Sequence, residues 1–159
     1  MSLENVKKYF AQFNMENKVL EFDDSSATVE LAAERLGVLP QRIAKTLSFM
    51  LEDGCILIVT AGDAKIDSKK YKRFFRQKAK MVKLEEIEHL TGHEIGGVCP
   101  FANPQNVRVY TDISLKRFKT VFPACGSERS AIELTPDELY FYGKAVEWVD
   151  ICKAWNEVH

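Results

Sequence analysis

The chain has no apolar run approaching the roughly 20 residues that a bilayer-spanning helix needs, and its opening Met1-Ser-Leu-Glu-Asn-Val-Lys-Lys lacks the basic-then-apolar plan of a secretory signal. A soluble, cytoplasmic protein with no membrane partner is expected. Cysteine is sparse: Cys55, Cys99, Cys125 and Cys152 are dispersed with no C-x-x-C pair, which indicates reduced thiols and neither a zinc knuckle nor a disulfide framework. No G-x-S-x-G elbow, Walker loop or Rossmann fingerprint occurs, so the commonest hydrolase and nucleotide-binding readings fall away. His89 and His93 are four apart, but Gly92 interrupts any shared helix, H-E-x-x-H is absent and no third ligand is near. They read as surface or loop histidines, and no metal or organic cofactor is expected. Repeats, low-complexity tracts and linkers are also missing. With 159 residues, 46% of them hydrophobic, residues 1–159 fit one domain around a single core.

A net charge of -1 hides a local imbalance: between Lys65 and Lys83 nine cations face one acid, Asp67. Lys69, Lys72, Arg73 and Arg76 follow helical spacing, so a helix there aligns them on one face. Such a stripe is either a solvated helix face or a surface for a phosphate backbone.

Leu3, Val6, Phe10 and Phe13 recur at helical spacing behind Ser2, a candidate cap. Val19 to Phe22 reads as a short strand. A second helix, capped by Ser26 or Thr28, runs through Leu31, Ala32 and Leu36 to Gly37, and Pro40 opens a short helical turn. Ala44 to Leu51 and Cys55 to Thr60 are apolar runs joined by Glu52-Asp53-Gly54, a strong hairpin signal. Asp67 caps the basic helix, whose inner face is Tyr71, Phe74 and Phe75. A strand near Ala79 to Val82 and a helix over Leu84 to Leu90 follow. Strands are expected over Val107 to Tyr110, Thr120 to Ala124 and Ala131 to Leu134, with a helical turn over Ile113 to Phe118 and a turn at Cys125-Gly126-Ser127. Thr135-Pro136-Asp137-Glu138 starts a helix with Thr as cap and Pro at its first position. Val146 to Trp155 is strand or helix. Interspersed elements of both kinds indicate a mixed α/β fold.

Two features carry chemistry. Gly92-His-Glu-Ile-Gly-Gly-Val-Cys-Pro-Phe101 sets three glycines and a proline between a helical and a strand pattern. Either it is a helix cap followed by a plain turn, or it brings bare backbone N–H groups against a ligand. Cys99 inside it has no identifiable base to make a thiolate, so it reads as a wall rather than a reagent. Lys45 interrupts the apolar run Ile43-Ala-Lys-Thr-Leu-Ser-Phe49 at the start of the hairpin. A cation there either faces a cleft or discourages edge pairing.

Taken together, Lys45-Thr46-Leu47 and, some fifty residues on, Gly92-x-x-x-Gly96-Gly97-x-x-Pro100 resemble the YbaK/EbsC family, free-standing relatives of the editing domain of bacterial prolyl-tRNA synthetases. Leu36-Gly37-Val38, Val109-Tyr110-x-Asp112-x-Ser114-Leu115 and Gly126-Ser127 leading into Ile132-Glu-Leu-x-Pro136-x-x-Leu139 agree in the same order. The resemblance implies a mixed, partly closed β-sheet flanked by helices and a trans-editing aminoacyl-tRNA deacylase. Its substrate would be a mischarged tRNA, tRNA-Pro or a related one, bearing a small residue such as alanine, cysteine or proline, with an aminoacyl-tRNA synthetase as a further partner. By that likeness Lys45, Gly96 and Gly97 form the catalytic set. Thr46, Val98, Cys99, Pro100, Phe22, Asp112, Gly126 and Ser127 would border the substrate. The one-sided charge of Lys69, Lys72, Arg73 and Arg76, rather than the likeness, makes them the candidate tRNA contacts. The chain departs at Phe22, where some relatives carry tyrosine, and at Ala102, where some carry glycine. An inactive tRNA- or synthetase-binding module and a small acyl-ester or thioester hydrolase are the rival readings.

Overall fold

The computed structural model describes residues 2–26 and 28–155. Helix α1 (Ser2–Ala11) buries Val6 and Phe10, which lie four apart and share a face. Ser2 is the first residue of the helix rather than its cap, and its hydroxyl bonds the His93 ring instead. After β1 (Leu20–Glu21) comes α2 (Val29–Leu36), capped by the Thr28 hydroxyl and ended by Gly37 at φ 69°. A 3-10 turn at Pro40–Arg42 leads into β2 (Ile43–Leu51), which folds back at Asp53-Gly54 onto β3 (Gly54–Ala61).

Next come β4 (Lys65–Ile66), α3 (Ser68–Phe75) and α4 (Leu84–Thr91). Strand β5 (Arg108–Asp112), β6 (Phe122–Pro123), β7 (Ser130–Ala131), α5 (Pro136–Tyr142), β8 (Trp148–Val149) and β9 (Cys152–Lys153) complete the order.

Strands β6-β2-β3-β5-β8 form the main sheet, with β2–β3 antiparallel and the other neighbours parallel. Two ribbons, β1–β7 and β4–β9, stand beside it. Strand β3 lies inside the sheet and Cys55–Ala61 is buried without a break, which is why it reads as a continuous apolar run rather than an alternating one. Among the described residues no helix is long and apolar enough to cross a membrane.

Several expectations change in detail. Ala79 to Val82 makes a single bridge, Met81 to Phe49, with two backbone bonds along β2, because Lys78, Lys80 and Lys83 keep that segment at the surface. The α3 inner face is Tyr71 and Phe75; Phe74 is 40% exposed. Arg76 terminates α3 at φ 62°, so it leaves the face that Lys69, Lys72 and Arg73 occupy. The undecided tail is strand, as β8 and β9.

Helix α5 starts with a reciprocal capping box: the Thr135 hydroxyl accepts from the Glu138 N–H at 3.1 Å, and the Glu138 carboxylate accepts from the Thr135 N–H at 2.8 Å. Thr135→Ala is expected to lower stability by about 1 kcal/mol, read as a shift in the denaturation midpoint.

Candidate functional site

Register along the hairpin sets the first half of the site. Lys45 stands opposite Thr60 in the β2–β3 ladder, beside Thr46 opposite Val59. Both Lys45 and Thr46 are partly buried and line a cavity of about 130 Å³. Burial holds the Lys45 ammonium below its ordinary 10.5, against the opposing pull of Asp63 and Glu30. It makes no ion pair with a described residue. The Thr46 hydroxyl is sealed from solvent with no hydrogen-bond partner. A buried polar atom without a partner is costly and rare.

The glycine loop supplies the facing wall. Helix α4 stops at Gly92, whose φ of 77° is the usual left-handed termination. A 3-10 turn then spans Ile95–Gly97. Ile95, Gly96 and Val98 line the cavity, whereas Gly97 faces away. The Gly97 N–H closes the turn onto the Glu94 carbonyl at 2.9 Å, while the N–H groups of Gly96 and Val98 have no backbone acceptor among the described residues. Gly96 and Val98 thus border the cavity with N–H groups that no backbone carbonyl among the described residues occupies. Gly97 lies against the Gly126–Ser127 backbone so closely that a Cβ would fall inside it.

The remaining walls come from residues that no motif marked. Ile43, Phe122 and Ala32, with Val29 packed against them, form a small apolar cluster of their own and line one side of the cavity, with Ser26, Thr28 and Ser130 among the rest of its lining. Their signal in the sequence is ordinary core composition, which carries no functional mark.

Other residues expected to border the substrate lie elsewhere. Asp112 is buried at the end of β5, where its two oxygens accept from the Ser114 N–H at 2.9 Å and the Ile151 N–H at 3.0 Å. Gly126, at φ 93°, packs on Ser2, where a Cβ would come within 2.6 Å of the hydroxyl oxygen. The Ser127 hydroxyl is engaged with Ser130 at 3.1 Å. Phe22 joins the Arg129 carbonyl through its N–H at 2.8 Å and does not line the cavity. Pro100 lines a second cavity, of about 300 Å³, with Tyr9, Asn103 and Tyr142.

Cys99 is not a wall. It is fully buried behind the loop, and burial pushes its thiol up to about 12, so it stays protonated near neutral pH. His93, expected at the surface or in a loop, lies in the loop but is 1% exposed, and it holds the Phe101 carbonyl at 2.8 Å with Nε2 and the Ser2 hydroxyl with Nδ1. His89 is exposed, so the pair shares no ligand position. Nothing in the sequence separates a buried histidine after a capping glycine from a surface one.

Two outcomes are expected. Gly97→Ala drives a methyl into the 126–127 backbone and should destabilise the fold by about 1–3 kcal/mol, measured by thermal or denaturant unfolding. Burial also lowers the His93 pKa from its ordinary 6.5. Between the folded value and 6.5 the unfolded chain binds more protons, so stability rises with pH through that window and is lost as pH falls below 6.5. Unfolding free energy measured against pH should show that decline, and His93→Gln should remove it.

Comparison with known proteins places this geometry. Residues 23–141 match the family described as the aminoacyl-tRNA editing domain. The chain is 58% identical over 157 residues to the uncharacterized protein YwhH of Bacillus subtilis, covering 98% of this chain and 100% of that one. It is 31% identical over 127 residues to a proline–tRNA ligase of Thermosipho africanus, covering 78% of this chain but only 22% of the ligase. A crystal structure of a candidate trans-editing enzyme for prolyl tRNA synthetase superposes with a TM-score of 0.86 at 29% identity, covering 96% of this chain and 97% of the other. The family match takes in Lys45, the glycine loop and the apolar wall alike, and the protein belongs to the aminoacyl-tRNA editing domain family.

Proposed function

We propose that the protein is a trans-acting deacylase that hydrolyses the ester of a mischarged tRNA carrying a small amino acid. The observation that carries this reading is the convergence on one cavity of a half-buried Lys45 and the unused N–H groups of Gly96 and Val98. Two fixed donors suit the carbonyl oxygen of an ester and gain strength as that oxygen takes charge during attack. The Lys45 ammonium suits the 3'-terminal phosphate or ribose of the acceptor end. Thr46 borders the same cavity beside Lys45.

Cys99 is too deeply buried, and too firmly protonated, to act as nucleophile. Water or a group of the substrate itself therefore attacks the acyl carbon. With water, its oxygen bonds to that carbon, the bond to the ribose oxygen breaks, the proton shed by the water passes to the ribose oxygen, and the free amino acid and the ribose hydroxyl are the products; with a substrate group, an internal ester or thioester forms first and water then hydrolyses it. Positioning both partners in one cavity supplies much of the acceleration.

The cavity's size and its wall of Ala32, Ile43 and Phe122 favour a small side chain, such as that of alanine, cysteine or proline. One methylene more or less is worth about 1–3 kcal/mol in such a pocket. On α3, Lys69, Lys72 and Arg73 are exposed on one face and suit the phosphates of tRNA. That face favours tRNA over a small free acyl ester.

Incubation with a panel of tRNAs charged with different amino acids tests the reading. Release well above the spontaneous rate is expected for small residues, and none above it for any tRNA would overturn the proposal. Lys45→Ala should lower the rate by about 100-fold. Because burial depresses its pKa, wild-type activity should fall on the alkaline side at a pH below the ordinary lysine value of 10.5.

A further inference from the structure

The loop that carries the two donors is closed by a single side chain. His93 stands at its start, and its Nε2 reaches the carbonyl of Phe101, at its end, over 2.8 Å. A carbonyl oxygen only accepts, so Nε2 must carry the proton. In the neutral ring Nδ1 is then an acceptor, and it takes the Ser2 hydroxyl hydrogen. The His93 N–H is itself tied to the Thr91 hydroxyl at 3.1 Å, and that hydroxyl donates back to the Ile87 carbonyl of α4 at 2.8 Å. The ring is thus held from α1 and from the far side of the loop, and the His93 backbone from α4.

The contacts behind the loop join the same node. Cys99 Sγ lies 3.6 Å from His93 Nε2 and 3.7 Å from the Phe101 carbonyl that it shares. Gly97 rests on Gly126, and Gly126 rests on Ser2, the residue that bonds the ring. The turn at Ile95–Gly97 therefore lies between a backbone stack on one side and two ends fixed by one imidazole. The free N–H groups of Gly96 and Val98 are set by that clasp.

We infer that His93, in its Nε2–H tautomer and anchored by Ser2, is a positioning residue that fixes the Gly96 and Val98 donors for the reaction. The inference rests on the deacylase reading above. His93 does not line the cavity and touches no reacting atom; it acts through the loop. Among the described residues the ring's hydrogen-bonding neighbours are a serine hydroxyl, a thiol and a backbone carbonyl.

Two measurements test it. Nitrogen-15 NMR of the wild-type protein should find the His93 proton on Nε2 and a bare Nδ1, whereas a proton on Nδ1 alone would overturn the clasp whatever the activity. Single-turnover deacylation, on whichever aminoacyl-tRNA the wild type hydrolyses fastest, should show His93→Leu slower by about 100-fold, the scale of a 1 Å displacement at the reacting centre. The Michaelis constant should stay within about threefold, as expected when an interaction made only in the transition state is lost.

His93→Gln, whose amide N–H can reach the same carbonyl, should recover most of the rate, and Ser2→Ala should give a smaller loss in the same direction. A folded His93→Leu protein with wild-type kcat, or a loss confined to KM, would overturn the inference while leaving the deacylase reading intact. An inactive wild type would overturn both. Should His93→Leu fail to fold, the NMR tautomer and Ser2→Ala decide.

Discussion

Three stretches of backbone meet where no Cβ fits: Gly97 against Gly126 and Ser127, and Gly126 against the start of α1. Close approach of main chain to main chain is the constraint on which the site depends. It seats the glycine loop on a rigid turn, aims Gly96 and Val98 into the cavity, and leaves Gly97 to support them from behind. A donor held this way loses little freedom when a ligand arrives, which is how fixed dipoles stabilise developing charge without reorganising.

The cavity itself is expensive. A lysine with a depressed pKa and a threonine whose hydroxyl has no partner border one small space. Neither improves stability, since burying a charge or an unsatisfied polar group costs free energy. The compensation lies close by, in the unbroken burial of Cys55–Ala61 along β3 and in the ladder that ties it to β2. A stiff hairpin can carry a destabilising side chain on its opening residues without loss of register.

Local signals made much of this legible in the sequence. The Asp53-Gly54 hairpin, the Gly37 and Gly92 terminations and the Thr135 cap depend on a few adjacent residues, and all are found in the structure. Lys45 could be singled out because a cation breaking an apolar run needs a reason. What was not legible depends on contacts distant in sequence. His93 is buried only because α1 and Phe101 close over it, and Cys99 leaves the cavity because Val98 and Pro100 on either side turn to different spaces. Asp112 carries the look of a site carboxylate, yet backbone amides of Ser114 and Ile151 claim both its oxygens. Arg76 satisfied helical spacing but fell one residue past the last turn, where the chain reverses its φ.

The apolar wall has a different implication. Ala32, Ile43 and Phe122 are drawn from points spread over most of the chain, and with Lys45, Gly96 and Val98 they enclose one small volume. No short fragment contains that volume, so it comes into being only when segments some ninety residues apart in the chain are brought together. On the proposed deacylase reading, ester cleavage would vanish together with cooperative unfolding rather than fade with local fraying, and turnover would gauge the population of native molecules.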